Sequence, residues 1–445
     1  MLNRRRLLQG SGALALAGLG RTAFAQEQSP IPIVFVHGDS DLAATWETQI
    51  WRFESNGYPR DRLFAISFTD PQARDDDTVA QANRSSTADQ VRELTAFIDH
   101  VKAKTGAPKV VIVALSRGGY AAREYAAVNP GSVAKAALGG TPNHGVWATD
   151  FLPGSEYNGR GPFLTKLDAG DTEVTPKVSF MTLRSDGFDL YAQPDGGIVF
   201  HKPGMALNVT ADGPALKGAT NVLLGEVDHR ETALSPVAFA EIYRFITGRA
   251  PSRITIAPEA EVILNGRVTG VVGGTPTNRP VEGAQVEIYR VSADTGERQG
   301  AAALSKTTGA DGVWGPATFD PNTALEFVVA APGAPITHIY RSPLPRSFDQ
   351  LDLRPAVPAK EDADAAAIVR MDRPRGYFGL PRDVVLLDGK EPTDVPHGVP
   401  SAWHSTLRLP ALEDQPIVGE FNEERVVGRP WPAKEDHMTI LELTG

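Results

Sequence analysis

The sequence contains no cysteine. This absence excludes disulfide bonds, thiolate metal sites and a thiol nucleophile, so stability must come from packing. An excess of positive charge is also missing: 44 lysines and arginines face 54 aspartates and glutamates, which gives a net charge of -10. Because nucleic-acid binding needs clustered positive charge, this balance argues against a nucleic-acid partner. Beyond the N-terminus no apolar run is long enough to span a bilayer, so we expect no transmembrane helix.

Apolar residues make up 41% and charged residues 22% of the 445 positions. These values are ordinary for a globular protein with a sizeable core. A chain of this length is too long for one typical core, and we expect about two or three domains.

The N-terminus has the three parts of an export signal in order. Asn3 to Leu8 form a twin-arginine type run, and a weakly apolar stretch of Gly, Ala and Leu follows. Ala23-Phe24-Ala25 offers small residues to a signal peptidase, with cleavage before Gln26. We therefore predict a signal peptide over residues 1–25, export by the twin-arginine (Tat) pathway, and a periplasmic or extracellular mature protein.

Between residues 31 and 248, short β-branched runs alternate with longer segments of helical periodicity. This pattern is typical of a parallel sheet whose strands are joined by crossover helices. Two insertions, residues 70–86 and 141–176, interrupt it, and each is either a lid over a ligand site or a plain surface loop. We predict strands at 33–36, 109–115, 133–138, 178–183 and 220–227, and helices at 87–104, 118–128 and 236–248.

After residue 250 helical periodicity disappears, and short strand candidates recur between turn signals, at residues 261–272, 284–291 and 325–331. Ala310-Asp311-Gly312 is typical of a hairpin turn. We predict three parts in the mature chain: a first domain over residues 26–250, a β-sandwich module over residues 259–350, and a second β-rich unit over residues 351–445.

Ser116 lies at the junction of a predicted strand and a predicted helix. A nucleophilic serine in such a turn is strained, and small residues are needed two positions before and after it because larger side chains would collide. Ala114 and Gly118 occupy these positions, and Gly119 opens the helix. Ala114 departs from the common Gly-x-Ser-x-Gly pattern but is still small. We interpret Ser116 as a nucleophile; the alternative is a serine in an ordinary strand–helix turn.

A serine nucleophile needs an imidazole base, which a carboxylate orients, and in this kind of fold the chain order is Ser, acid, His. His229 follows an apolar strand and precedes the last helix, where the base is expected. The loop after the strand at 178–183 offers Asp186 and Asp189. We favour Asp189, because the acid must reach back to the imidazole from within the loop. Asp186 is the alternative acid, and Asp195 lies farther along.

Acyl transfer also requires two backbone N–H groups that stabilise a developing oxyanion. We expect one from Arg117, which follows the proposed nucleophile. The other should come from His37-Gly38-Asp39 after the first strand, most simply from the Asp39 amide. An acidic side chain is unexpected there, so the Asp39 carboxylate must point away from the site.

Four motifs of this sequence together resemble the lipase branch of the α/β hydrolases. The resemblance implies an α/β-hydrolase fold, a mostly parallel sheet flanked by helices, followed by all-β C-terminal domains. The Asp-x-x-x-x-Pro form of the acid loop occurs in several lipases and supports the choice of Asp189. The motifs are His37-Gly38, Ala114-x-Ser116-x-Gly118-Gly119, the loop Asp189 to Pro194, and His229.

The chain also resembles archaeal very-long-chain lipases, which join a hydrolase domain to a C-terminal β domain that binds lipid. By this resemblance, a lipid or polymer surface is the expected partner of the β region. Gly283 to Ile288 and Ala310 to Gly312 look like bacterial transthyretin-like or immunoglobulin-like modules. The stretches that match the lipases are Phe53 to Pro59, Ala219 to Val222 and Phe245 to Gly248.

These patterns predict a secreted serine hydrolase, a lipase or esterase, that cleaves carboxylic esters through an acyl-enzyme. An ester or lipid is the expected substrate, and neither a metal nor a cofactor is implied. Two alternatives stay open. One is a polyester depolymerase of the polyhydroxyalkanoate type, whose β tail would hold an insoluble polymer. The other is a non-catalytic envelope protein for binding or adhesion, with a vestigial hydrolase domain.

Overall fold

Parallel strands form the centre of the first part of the chain. The computed structural model describes residues 30–445, so the predicted signal peptide lies outside the described residues. The strands are β1 Ile33–Val36, β2 Leu63–Ile66, β3 Val110–Leu115, β4 Val133–Gly139, β5 Ser179–Ser185 and β6 Thr220–Leu224. Their order is β2-β1-β3-β4-β5-β6, and every neighbouring pair is parallel. β1 and β3 are buried along their whole length, as expected for apolar runs in a sheet covered on both faces.

Helices cover both faces of this sheet. Phe35 of β1 packs in the same core as Phe53 and Phe239, whereas its neighbour Val34 packs with Leu94 on the other face. Capping signals set the helix ends: a serine begins and a glycine ends both the second and the sixth helix. The helices are α1 Glu47–Ser55, α2 Thr87–Thr105, α3 Gly118–Val128, α4 Pro162–Leu167, α5 Glu231–Leu234 and α6 Pro236–Thr247.

The predicted fold class is confirmed, since a parallel sheet flanked by helices precedes a β-rich region. The predicted strands and helices are present, with ends that differ by up to three residues. α1 and β2 have no counterpart among the predicted elements. α1 is only nine residues long, and it buries polar residues such as Glu47 and Gln49 together with Trp51.

After residue 250 the described chain contains strands and short 3-10 turns but no α-helix. The strands are β7 Val262–Leu264, β8 Thr269–Val272, β9 Thr275–Pro280, β10 Gln285–Val291, β11 Leu304–Thr307, β12 Ala317–Phe319, β13 Ala324–Ala330, β14 Ile336–Arg341, β15 Ala367–Asp372, β16 Val385–Leu387, β17 His404–Leu409, β18 Ile417–Phe421, β19 Glu424–Gly428 and β20 His437–Glu442. Seven of them form one sheet in the order β11-β10-β13-β14-β20-β15-β17.

The large sheet crosses the predicted boundary near residue 350. β20 lies between β14 and β15 and runs parallel to both. The two predicted β units, residues 259–350 and 351–445, therefore share a sheet, and their boundary stays a prediction.

The prediction of a hairpin at Ala310-Asp311-Gly312 is wrong. A turn forms there, with the Gly312 N–H donating to the Gly309 carbonyl at 2.9 Å. It connects β11 and β12, however, and these strands lie in different sheets. A true two-residue hairpin joins β8 and β9 through Gly273 and Gly274, whose φ values of 57° and 80° suit glycine.

The parallel sheet and the β region share one hydrophobic core. Trp51 of α1 is fully buried, and its indole N–H donates to the Ser347 carbonyl at 3.0 Å. Its ring also meets Phe348 edge-on. Residues 31–445 consequently form one compact unit. None of the helices in the described part of the chain has the length and apolar character needed to cross a membrane.

Candidate active site

Ser116 lies in a sharp turn between β3 and α3. Its φ of 52° falls in the left-handed region, which is uncommon for serine. The Ser116 N–H donates to the Gly139 carbonyl at 2.8 Å, and the Gly119 N–H donates back to the Ser116 carbonyl at 2.9 Å. A Cβ atom at Gly118 would lie 2.4 Å from the His37 carbonyl oxygen, so only glycine fits there. The strained turn expected around Ser116 is therefore present.

The His37-Gly38 turn packs against Ser116. A Cβ atom at Gly38 would come within 3.1 Å of the Ser116 Cβ, so glycine keeps the space beside the serine open. The buried His37 ring accepts the Phe68 N–H through Nε2 at 3.0 Å, and Nδ1 therefore donates to the Gly38 carbonyl at 2.8 Å. Burial lowers the pKa of His37 from 6.5 to about 4, which keeps the ring neutral at pH 7. His37 thus fixes the loop that leads to Asp39.

His229 and Asp189 meet beyond the carboxyl ends of the neighbouring strands β5 and β6. His229 Nδ1 lies 2.9 Å from each carboxylate oxygen of Asp189. The Tyr191 ring packs edge-on against the imidazole, with the ring centroids 4.5 Å apart. His229 Nε2 is buried and has no hydrogen-bond partner among residues 30–445. It is therefore not hydrogen-bonded to the Ser116 hydroxyl. Both Ser116 and His229 nevertheless line the same cavity.

The alternative acids are engaged elsewhere. Asp186 accepts two backbone N–H groups, from Gly187 at 2.8 Å and from Glu226 at 3.1 Å. Asp195 likewise accepts two backbone N–H groups of its own loop, at 2.8 and 2.6 Å. Of these three carboxylates, Asp189 is the one that the structure brings to the imidazole.

The two amides considered for the oxyanion flank the serine. Arg117 follows Ser116 directly, and Asp39 lines the same cavity as the serine. In the described residues, neither amide N–H donates to a protein acceptor. The Asp39 carboxylate is turned aside, because it accepts the Ala73 N–H at 2.7 Å and the Ser40 hydroxyl at 3.0 Å. A developing oxyanion would therefore displace no acceptor within the described residues from either N–H group.

The Arg117 side chain has a structural role that the sequence did not indicate. Its fully buried guanidinium forms a salt bridge with the equally buried Glu156. It also donates to the Pro71 carbonyl at 2.9 Å and to the Ser85 hydroxyl at 3.1 Å. The two insertions are thus joined to the Ser116 turn through one buried guanidinium group. No local pattern marks this arginine, because its partner lies 39 residues away.

We expect Arg117→Met to lower the free energy of unfolding by about 3–5 kcal/mol, because Glu156 would keep a buried charge without its partner. Urea unfolding followed by tryptophan fluorescence measures this loss. The double variant Arg117→Met/Glu156→Gln should recover most of it, since neither charge is then left alone. If the loss in the double variant instead equals the sum of the losses in Arg117→Met and Glu156→Gln, the two side chains are not coupled.

The cavity that holds Ser116 and His229 has a volume of about 520 Å³. Both insertions contribute to its wall, so neither is a loop remote from the site. One side is apolar, and there Trp147 meets Phe200 edge-on with the ring centroids 5.0 Å apart. Apolar side chains in this lining include Val146, Trp147, Leu152, Val199 and Phe200.

Another part of the cavity lining is polar and includes residues of the C-terminal β region. Arg230 forms a salt bridge of 2.8 Å with Asp41, and its guanidinium lies over the Tyr377 ring. Tyr377 and Trp403 both line the cavity, although they are far from Ser116 in sequence. Within residues 30–445, no group of three or more His, Cys, Asp or Glu side chains is placed to hold a metal ion.

Two protein-family models match separate parts of the chain. Residues 30–148 match the family of class 2 lipases, and residues 260–358 match the lipase C-terminal domain. The first match includes the Ser116 turn, and the second includes strands β7 to β14. No sequence among the curated proteins matches the chain.

Several experimentally determined structures of lipases are similar to about half of the chain. Lipase B of Aspergillus fumigatus is 17% identical over 51% of this chain and 55% of its own, with a TM-score of 0.34. The mature lipase BlEst2 of Bacillus licheniformis is 22% identical over 50% of this chain and 94% of its own, with a TM-score of 0.36. The monoacylglycerol lipase of Paleococcus ferrophilus is 12% identical over 45% of this chain and 88% of its own, with a TM-score of 0.31. Because these TM-scores are low, the likeness to lipases rests on the two family models.

Proposed function

We propose that this chain, which is an α/β-hydrolase lipase with a C-terminal domain, hydrolyses carboxylic esters with Ser116 as the nucleophile, His229 as the base and Asp189 as the orienting acid. One observation carries the proposal. The imidazole binds Asp189 through Nδ1 and has an unpartnered Nε2 within the described residues, in the cavity that Ser116 lines. Buried polar atoms are almost always hydrogen-bonded, and catalytic groups are among the exceptions.

In the first half-reaction, the Ser116 hydroxyl oxygen attacks the ester carbonyl carbon while its proton moves to His229 Nε2. Asp189 keeps Nδ1 protonated and stabilises the imidazolium that forms. The carbonyl oxygen becomes an oxyanion and accepts hydrogen bonds from the Asp39 and Arg117 amides, each worth about 3–4 kcal/mol in the transition state. The alcohol then leaves with the proton from His229, and the acyl group stays on Ser116. Catalytic hydrogen bonds are often absent without substrate, so the unbound Ser116 hydroxyl is compatible with this step.

In the second half-reaction, water attacks the acyl carbonyl and gives its proton to His229. The same two amides stabilise the second oxyanion. Collapse of this intermediate breaks the bond to Ser116, returns the proton to the serine oxygen, and releases the carboxylic acid. Water is the only co-reactant that these steps require.

The cavity suits an ester with one apolar and one polar part. We place the acyl chain on the side of Trp147 and Phe200 and the polar part beside Arg230, because apolar surface gains from leaving water and a polar group needs partners. A lipid or polymer surface is the proposed partner of the C-terminal β region. Export by the twin-arginine pathway is proposed on the sequence of residues 1–25, with sequencing of the mature N-terminus as its check.

Labelling with a fluorophosphonate tests the proposed function. The chain without its predicted signal peptide is labelled, the modified peptide is mapped, and p-nitrophenyl esters from acetate to stearate are assayed in parallel. Ser40 and Ser155 line the same cavity, so mapping identifies which serine is activated. Label on Ser116 together with ester turnover is the expected result. Turnover with the label on another serine, or no label at all, would overturn the assignment.

A further inference from the structure

The loop that carries His229 is held in place by the C-terminal part of the chain, and we propose that this attachment positions the base for catalysis. The inference rests on the proposed role of His229. It assigns a positioning role to Arg373 and Arg382. Both act through Asp228 and Glu231, which flank the base in sequence.

Asp228 is the centre of this attachment. It is fully buried, and its two carboxylate oxygens have different partners. Oδ1 accepts two backbone N–H groups of the turn after His229, at 2.9 and 3.0 Å, and so shapes that turn. Oδ2 accepts Arg373 Nη1 at 2.8 Å, the Tyr377 N–H at 2.7 Å and Arg382 Nη2 at 3.3 Å. One side chain thus joins the turn at the base to the C-terminal β region.

Glu231 repeats this pattern on the other side of the base. Its carboxylate forms a salt bridge with Arg373 and a second one, of 2.8 Å, with Arg382. It also accepts the Asp228 N–H at 2.7 Å, which links the two acidic residues to each other. The two arginines therefore bridge both carboxylates, and the loop segment with the imidazole lies between these bridges.

The arginines are ordered by their own segment of the chain. Arg373 donates to the Tyr377 carbonyl at 2.6 Å, and Arg382 forms a salt bridge of 3.0 Å with Asp383. A Cβ atom at Gly376 would lie 2.2 Å from the guanidinium carbon of Arg373, so any side chain at that position would displace the guanidinium from its place. These contacts fix the guanidinium groups independently of the loop that they hold.

Precise placement of the base loop matters because His229 must reach the serine with one nitrogen and keep the other on Asp189. A shift of about 1 Å in such a group can cost about 100-fold in rate. Arg230 also donates to the Pro374 carbonyl at 2.5 Å. Asp228, Arg230 and Glu231 thus all form hydrogen bonds or salt bridges with the C-terminal region. The His229 side chain, which lies among them in sequence, is left free of these contacts.

Arg382→Ala tests the inference, with Arg346→Ala as a matched control. The two side chains are 12% and 14% exposed, and each forms salt bridges to the first part of the chain. Arg346, however, binds Glu54 of α1 at 2.9 Å and does not touch the base loop. We expect Arg382→Ala to lower kcat for p-nitrophenyl butyrate by about tenfold or more, with KM changed by less than about twofold. Phosphonylation of Ser116 should slow by the same factor.

Arg346→Ala should leave kcat, KM and the phosphonylation rate within about twofold of the parent, even if it lowers the Tm as much as Arg382→Ala does. Arg382→Lys, which keeps a positive charge, should recover part of the lost kcat. Equal kcat losses in both alanine variants, or an unchanged kcat in Arg382→Ala, would overturn the positioning role. If Arg382→Ala does not fold, the comparison of Arg382→Lys with Arg346→Lys decides in the same way. Failure of the proposed function is distinct, because Ser116→Ala would then stay active.

Discussion

Replacing Ser116 with alanine should lower kcat for a soluble ester by about 10⁵ to 10⁶-fold, because the acyl-enzyme can no longer form. The residual activity would come from the two amides and from substrate binding. The free energy of unfolding should stay within about 1 kcal/mol of the parent, since alanine keeps the Cβ atom in the same left-handed turn. Initial rates at high enzyme concentration and thermal unfolding by calorimetry measure the two quantities.

Ser155→Ala is the matched control for this variant. Ser155 lines the same cavity and is 2% exposed, but within residues 30–445 its hydroxyl only accepts the Tyr157 N–H at 3.3 Å. Its replacement should leave kcat within about threefold of the parent. A Ser116→Ala protein with the parental rate would mean that another group attacks the ester, and the strained turn would then have a structural role only.

Asp189→Asn should lower kcat by about 10⁴-fold. The cause is the tautomer of His229. An amide NH₂ can donate to Nδ1, which favours the imidazole with its proton on Nε2 and leaves no acceptor for the serine proton. Folding should change little, because the asparagine carbonyl can still accept the Tyr191 N–H that Asp189 Oδ1 accepts at 2.8 Å. Steady-state kinetics with p-nitrophenyl butyrate and urea unfolding give the two values.

Asp186→Asn provides the comparison for Asp189→Asn. Asp186 is the nearest carboxylate in sequence, yet its contacts are the Ser185 hydroxyl and backbone N–H groups of its own loop and of the base loop. We expect kcat to stay within about threefold of the parent. A larger loss in Asp186→Asn than in Asp189→Asn would assign the acid role to Asp186.

The parts of the candidate site that could be predicted are those with a local sequence pattern. An apolar strand, a serine between small residues, and a following helix place Ser116 without any knowledge of distant contacts. The order of serine, acid and histidine along the chain narrows the other two roles to one histidine and a short loop. The structure brings His229 and Asp189 together, and the catalytic roles themselves stay predictions until they are measured.

The parts that could not be predicted depend on contacts between distant segments. Glu156 supports the Ser116 turn from an insertion through Arg117, and Tyr377 lines the cavity from the β region. No periodicity marks a residue whose partner is far away in sequence. The strand candidate at 261–272 failed for a similar reason. It breaks around Gly266, where a Cβ atom would lie 2.1 Å from the Leu351 carbonyl oxygen. That glycine is necessary because the segment around Leu351, which is distant in sequence, packs against it.

The central place of β20 in the large sheet has a consequence for protein synthesis. Its neighbour β14 is translated first, and residues 342–436 must follow before β20 can pair with it. At about 5–20 residues per second, this interval lasts roughly 5–20 s. Throughout it, one edge of β14 has no strand beside it, and such an edge can recruit another nascent chain. Slow, cool expression, which keeps few unfinished chains in the cell at once, should therefore give more soluble protein than rapid overproduction.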